Sequence, residues 1–238
     1  MGGVEIDELC GRLRRLQVSS LCDADKSLPV CDPGLRSVLP DVTVAGPAFT
    51  VRADGDLLGM VAALAGAAPG AVLVVDTGGS PLAASGELFA GEAARAGLAG
   101  IVVDGHCRDL RGIRRAGLPV FARGAYPMAG TMLGPAVVGE PVRIGGLTVR
   151  PGDVVFGDDD GLVIAPADRL AAALAKAEEI ERTEAAVAAA LAAATPLAAL
   201  SNAAEHLRAR AAGEPSTFRF APPGWTRRAT PAADGPTS

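Results

Sequence analysis

Three short apolar runs, separated by helix-length stretches, constrain this chain more than any other feature. They are Ala71-Val72-Leu73-Val74-Val75-Asp76, Gly100-Ile101-Val102-Val103-Asp104 and Leu118-Pro119-Val120-Phe121-Ala122. Runs of this length without polar alternation suit strands covered on both faces. Between them, Glu87 to Ala96 and Leu110 to Ala116 read as helices, with Gly97 and Gly117 standing just past their ends. Strand, helix, strand, helix, strand predicts a βαβ layer with parallel pairing.

The flanks are less regular. Val4, Ile6, Leu9, Leu13 and Leu16 lie near helical spacing and predict a first helix over 4–17. Ser19 to Asp41 reads as turns with a short helix, Val42 to Arg52 as a strand, and Leu57 to Ala65 as a helix closed by Gly66 and Pro69. After Gly134, strands are expected over Val137 to Ile144, Leu147 to Arg150, Val154 to Phe156 and Leu162 to Ile164. Gly157-Asp158-Asp159-Asp160-Gly161 is a hairpin turn between the last two. Residues 167–194 form an alanine-rich helix, Thr195-Pro196 interrupts it, and a second helix runs to about Ala212. The 238 residues suit one α/β domain over 1–212 with long C-terminal helices. Residues 213–238, rich in Pro, Ala, Thr and Gly, read as a flexible tail that Phe218, Phe220 and Trp225 could anchor.

Composition removes several function classes. Net charge is -5 and aromatics make up only 3 %, whereas a nucleic-acid groove needs a concentrated basic face. The apolar run from Ala185 to Ala194 is short and mostly alanine, while a bilayer span takes about 20 strongly apolar residues. Cys10, Cys22, Cys31 and Cys107 form no C-x-x-C pair, and the acidic amphipathic N-terminus is unlike an export signal. The expectation is a cytoplasmic protein with reduced thiols, no nucleic-acid partner and no membrane partner.

In parallel α/β architecture, ligands sit beyond the carboxyl ends of strands. Two strands here end in an acid. Asp76 precedes a Gly-Gly turn, and Asp104 precedes a loop, Gly105-His106-Cys107-Arg108, that leads to Asp109. On spacing alone two readings stay open. Asp109 caps the following helix while Arg108 pairs with a nearby acid, or the loop carries chemistry.

The segment Asp104-Gly-His-Cys-Arg-Asp109, followed by Gly117-Leu-Pro-Val-Phe-Ala-Arg-Gly124, resembles the signature of the RraA-like family. That family includes class II 4-hydroxy-4-methyl-2-oxoglutarate aldolases that also decarboxylate oxaloacetate. Gly46-Pro-Ala-Phe-Thr-Val51, Gly86-Glu-Leu-Phe89 and Pro151-Gly-Asp-Val-Val-Phe-Gly-Asp158 with Gly161-Leu-Val-Ile-Ala-Pro166 extend the likeness over about residues 20 to 185. The resemblance implies a swivelling β/β/α-type fold and a divalent metal, Mg2+ or Mn2+. It also implies a homotrimer or homohexamer with active sites at subunit interfaces. Carried over, Asp109 is the metal ligand, Arg108 holds the oxo-acid and Glu87 orients metal-bound water. The backbone amides of Leu88 and Phe89 receive the substrate carboxylate, which suits a helix start. Glu184, with Glu181 competing, is the acid lent by a neighbouring subunit. His106 departs from the small residue common there and is a candidate substrate contact, and Asp104 mainly shapes the loop.

The implied chemistry is coherent. Retro-aldol cleavage of a 4-hydroxy-2-oxo diacid, or decarboxylation of oxaloacetate, leaves a pyruvate enolate. A divalent ion acting as Lewis acid, with an arginine beside the developing oxyanion, stabilises that charge. A Schiff-base route has only Lys26 and Lys176 to draw on, and a three-histidine zinc site cannot come from His106 and His206 alone. Cys107 beside Arg108 is a weaker candidate nucleophile. The rival classes are a non-catalytic protein regulator of a ribonuclease, as some family members are, and a specialised biosynthetic lyase acting on another oxo-acid.

Overall fold

The structure is a computed structural model and describes residues 5–221. The chain opens with helices α1 (Ile6–Leu13) and α2 (Val18–Ala24), then strands β1 (Arg36–Ser37) and β2 (Val44–Arg52) and helix α3 (Leu58–Gly66). The expected alternation follows as β3 (Val72–Asp76), β4 (Ala83–Ser85), α4 (Glu87–Arg95), β5 (Gly100–Cys107), α5 (Leu110–Ala116) and β6 (Val120–Ala125). Short strands come next: β7 (Val137–Val138), β8 (Val142–Ile144), β9 (Leu147–Val149), β10 (Val154–Asp158) and β11 (Gly161–Ala165). Helix α6 (Ala167–Ala192), a single 3-10 turn over Leu197–Leu200 and α7 (Ala203–Ala211) follow.

The main sheet runs β1-β6-β5-β3-β2-β10-β11, with β4 beside β5 and β7 beside β2. Its centre is parallel, as the βαβ rhythm predicts: β2 with β3, β3 with β5, and β5 with β6. The continuous apolar runs are explained by cover on both faces. Leu73, Val75, Ile101 and Val103 pack toward Met60, Ala90, Ala93 and Ile113 of α3, α4 and α5. Their neighbours Val72, Val74 and Val102 pack toward Val142, Ile144 and Val149 of the β8–β9 hairpin and toward Val155 and Ile164. A third cluster joins α1, α2 and the start of α6 to Phe156 and Val163 of β10 and β11.

The structure corrects the sequence reading in three places. β5 continues to Cys107, through what reads as a loop. The span from Val137 to Ile144 is two strands, broken around Gly139, whose φ is 75°. β4 is a strand that Ala83-Ala84-Ser85 does not announce, because three small residues carry little β-propensity. The Asp158–Gly161 hairpin forms as expected.

The chain clusters into two compact units, one reaching Glu178 and one starting at Glu179. In the second, Phe220 bridges to Ser201, and the Phe218 and Phe220 rings meet edge-on at 5.2 Å. Trp225 lies outside the described residues. Among the described residues no helix is long and apolar enough to cross a membrane.

Candidate active site

The extension of β5 sets the geometry. β4 and β6 flank its end, pairing His106 with Ala83 and Gly124, and Cys107 with Ser85 and Ala125. Thr77 Oγ1 also donates to the Asp104 carbonyl at 2.6 Å, and a side chain at Gly105 would collide with that threonine. The pleat then divides the signature segment. Asp104 and His106 open onto one side, Cys107 turns into the helix-side core, and Arg108 and Asp109 emerge beside the start of α4.

Arg108 and Asp109 line a cleft of about 100 Å³ with Ser85, Gly86, Leu88 and Phe89. Asp109 occupies the N-cap position of α5, but its side chain makes no capping hydrogen bond. Its backbone is left-handed, with φ 57° and ψ 40°, a conformation Asp tolerates better than most residues. The Asp109 carbonyl receives the N–H groups of Gly112 and Ile113 at 2.7 and 3.1 Å. The carboxylate is thereby left to the cleft, where Arg108 Nε stands 3.5 Å away. Of the first reading, the cap fails, since the acid holds the cap position without a capping bond, and the ion pair stands, since Arg108 faces an acid, Asp109 itself.

Two glycines make the approach possible. A Cβ on Gly86 would lie 2.7 Å from Asp109 Oδ2 and 3.2 Å from Arg108 Cγ. A Cβ on Gly112 would lie 2.4 Å from Glu87, which therefore lies flat across α5. Glu87 accepts a hydrogen bond from Arg115 Nη2 at 2.8 Å. Gly86 caps α4 without a side chain, so the first-turn N–H groups at Leu88 and Phe89 have no intrahelical partner. Together with the helix dipole they make a place for an anion's oxygens at the cleft wall.

On the other side of β5 lies a wider depression of about 450 Å³, lined by Asp76, Asp104, His106, Arg123 and Arg143 among others. Its carboxylates are fully engaged. Asp104 accepts from Arg123 Nε and, at 2.7 Å, from the Gly145 N–H. Asp76 accepts from the N–H groups of Gly78 at 2.9 Å and Arg143 at 3.0 Å. Arg123 also reaches Asp32 at 3.0 Å. His106 lines this depression and not the cleft of Arg108 and Asp109, and its buried Nδ1 has no hydrogen-bond partner.

The structure thus brings Leu88, Phe89, Arg108 and Asp109 together, turns the Glu87 carboxylate onto α5 beside Arg115 and away from the cleft lining, and sets His106 apart. Glu184 is exposed on the part of α6 that belongs to the second unit. Cys107 is fully buried, its thiol pushed up to about 11 by desolvation, which suits a packing role and not a nucleophile. Lys26 is held above its ordinary value by its hydrogen bond to Asp23, the opposite of what an imine-forming amine needs. Sequence reasoning missed Ser85, Leu57 and Met132, which also line the cleft. Ser85 could have been found as the residue before the Gly-acid-Leu turn, but nothing local marks Leu57 or Met132.

Among the described residues no group of three His, Cys, Asp or Glu side chains is arranged to hold a metal ion. A closed zinc cage does not fit such a donor set. An exposed carboxylate that receives no capping bond suits magnesium or manganese, which keep most of their waters and take one or two carboxylates.

Comparison with known proteins accords with this geometry. Residues 18–164 match the RraA-like family model, described as Aldolase/RraA. The chain belongs to the RraA-like family. A Halalkalibacterium halodurans protein named "Putative 4-hydroxy-4-methyl-2-oxoglutarate aldolase" is 34% identical over 181 residues, covering 75% of this chain and 86% of that protein. The RNA-processing inhibitor RraA from Thermus thermophilis superposes with a TM-score of 0.59 at 30% identity, covering 63% of this chain and 92% of that one. RraAS2 of Streptomyces coelicolor, described as an unusual member of the RNase ES inhibitor RraA family, gives a TM-score of 0.65 at 29% identity, over 77% of this chain and 97% of that one. The RraA-like fold expected from the motifs is therefore present, and relatives named for carbon–carbon lyase chemistry and for ribonuclease inhibition both lie within reach.

Proposed function

We propose that this protein is a divalent-metal-dependent lyase that cleaves a carbon–carbon bond of a 2-oxo acid, by retro-aldol cleavage of a 4-hydroxy-2-oxo acid or by decarboxylation of oxaloacetate. The observation that carries the reading is the Asp109 carboxylate, released from capping and aimed into a cleft beside Arg108 and the open start of α4. The N–H groups of Leu88 and Phe89 receive the substrate carboxylate. Arg108 stands beside the 2-oxo oxygen, where negative charge grows as the bond to C3 breaks. Asp109 holds Mg2+ or Mn2+, which when bound supplies Lewis-acid stabilisation of that same charge. Glu87, fixed by Arg115, orients the water that takes the proton from the 4-hydroxyl. The electron pair of the C3–C4 bond passes to C3, and protonation there gives pyruvate. Glu184, or Glu181, of a neighbouring copy in a trimer completes the carboxylate set.

The test is pyruvate release by the full chain from oxaloacetate and from a panel of 4-hydroxy-2-oxo acids, with magnesium, with manganese and after EDTA. Release that depends on the metal is expected. Release unaffected by EDTA, or none from any substrate, would sink the reading. A second reading, a protein regulator of a ribonuclease, is favoured by the likeness to the Thermus and Streptomyces inhibitors. Its test is inhibition of an RNase E-type nuclease by the purified chain, and this reading predicts inhibition that survives loss of the Asp109 carboxylate.

A further inference from the structure

Leu57, Ala83 and Met132 line the cleft but lie outside the segments that carry Arg108, Asp109 and the α4 turn. They come from distant parts of the chain, and one stretch, Met128 to Gly134, joins them. The Ala83 N–H donates to the Met128 carbonyl at 2.8 Å, and the Ala83 carbonyl receives the Gly130 N–H at 3.4 Å. Further along, the Leu57 N–H donates to the Thr131 carbonyl at 2.7 Å, and the Thr131 N–H to the Gly55 carbonyl at 2.9 Å. The stretch is a strap that runs from β4 to the turn before α3.

One carboxylate clasps its far end. Asp56 Oδ2 accepts from Thr131 Oγ1 at 2.7 Å and from the N–H groups of Leu133 and Gly134 at 2.6 and 2.9 Å. Asp56 Oδ1 accepts from the Leu58 N–H, in the first turn of α3, at 2.9 Å. The Thr131 hydroxyl above all, and then those N–H groups, hold the Asp56 carboxyl well below the usual carboxylate range, so the clasp stays charged at any working pH. Two glycines let the strap lie this close. A Cβ on Gly130 would stand 2.4 Å from the Gly55 carbonyl oxygen, and one on Gly134 would stand 3.2 Å from Asp56 Cγ.

We infer that Asp56 is a positioning residue for the cleft: by clasping the strap it fixes Met132, together with Leu57 and Ala83, at the lining, and so sets how tightly a ligand is held there. The inference rests on the 2-oxo-acid reading above and adds to it a residue that touches neither metal nor substrate. The bonds that carry it lie within one chain, so they hold whatever a neighbouring copy adds to the site. Met128 to Gly134 contains no ionisable side chain. Displacing the strap therefore weakens ground-state and transition-state binding alike and leaves the chemical step nearly untouched.

Kinetics of pyruvate release by the full chain, with magnesium present, test this on three variants. Asp56→Ala removes all four bonds to the carboxylate and should raise KM about tenfold, with kcat within about threefold of wild type. Asp56→Asn can turn its carbonyl oxygen to the strap and keep three of the four, so it should recover most of the wild-type KM. Gly130→Ala lifts the strap without touching Asp56 and should raise KM as Asp56→Ala does, which keeps the test open should Asp56→Ala fail to fold. Hydrogen exchange should show the amides of residues 131–134 losing protection in the folded variants while those of β3 and β5 keep theirs. An unchanged KM in a folded variant whose strap amides have lost protection overturns the inference. So does a loss that follows a change in assembly state measured by light scattering, since the strap would then serve a subunit contact. In either case wild-type pyruvate release stands and only the inference falls. If the wild-type chain neither binds nor cleaves any 2-oxo acid, the 2-oxo-acid reading falls and the inference falls with it.

Discussion

The two sides of the β5 end use the same residue types to opposite ends. In the depression, Asp76 and Asp104 each accept from two protein donors, and Arg123 is shared between two acids. In the cleft, Asp109 makes no capping bond, Gly86 leaves the start of α4 without a side-chain cap, and Arg108 only approaches its neighbour at 3.5 Å. The first arrangement is satisfied internally and ties β3, β5, β6 and the β8–β9 hairpin together. The second is open: the Arg108 and Asp109 side chains are 42% and 47% exposed, so the donors and acceptors they do not spend on each other face solvent. Under the proposed function, charges without partners mark the site, and the larger hollow, whose charges are paired, is not the working one.

The sharpest break of this contrast is Asp109→Asn. Asparagine keeps the tolerance for left-handed backbone and the volume, so the fold should persist. Loss of the ligating charge should lower pyruvate release by about a thousandfold, several kcal/mol of barrier. A variant within tenfold of wild type would place the chemistry elsewhere. Gly86→Ala comes next. The added methyl meets the far end of a flexible side chain, Asp109 Oδ2 at 2.7 Å, so stability should barely change while the carboxylate is pushed aside. A misplacement of that order costs about a hundredfold in rate. Equal melting temperatures with a large drop in kcat are the expected pair of measurements.

The depression should respond the other way. Asp104→Asn weakens the Arg123 pair, with the Asp104 side chain only 17% exposed. The cost is about 1 kcal/mol after allowing for the exposure of Arg123. That should lower the melting temperature by roughly 2–4 °C. Activity below the transition should stay within a factor of two or so. A loss of activity matching that of Asp109→Asn would erase the distinction between the two sides.

Much of this was legible in the sequence because it depends on local pattern. The apolar runs located β3, β5 and β6, and glycines marked the ends of α4 and α5. The family motif named Arg108, Asp109 and the Gly86-Glu87-Leu88-Phe89 turn, and all of these but Glu87 line one cleft. What stayed hidden depends on partners distant in sequence. Gly105-His106-Cys107 becomes strand because β4 and β6 pair with it from both sides. Met132 reaches the cleft because Asp56 gathers the Thr131–Gly134 backbone. The separation of His106 from Arg108 follows from the end of β5 at Cys107: the pleat keeps His106 on the Asp104 side, and Arg108 has left the strand and lines the cleft.

His106 therefore gives the smallest and most discriminating test. Two residues before Arg108 in sequence, it invites assignment to substrate, yet it lines the depression and its Nδ1 is buried without a partner. Replacing an unsatisfied buried polar group by an apolar one of similar size is often neutral or stabilising. His106→Leu should leave the melting temperature unchanged or slightly raised, and kcat/KM for pyruvate release within about twofold of wild type. A drop beyond tenfold with KM rising and kcat unchanged would mean that substrate reaches across the end of β5. The two hollows would then be one site, with His106 as its far contact.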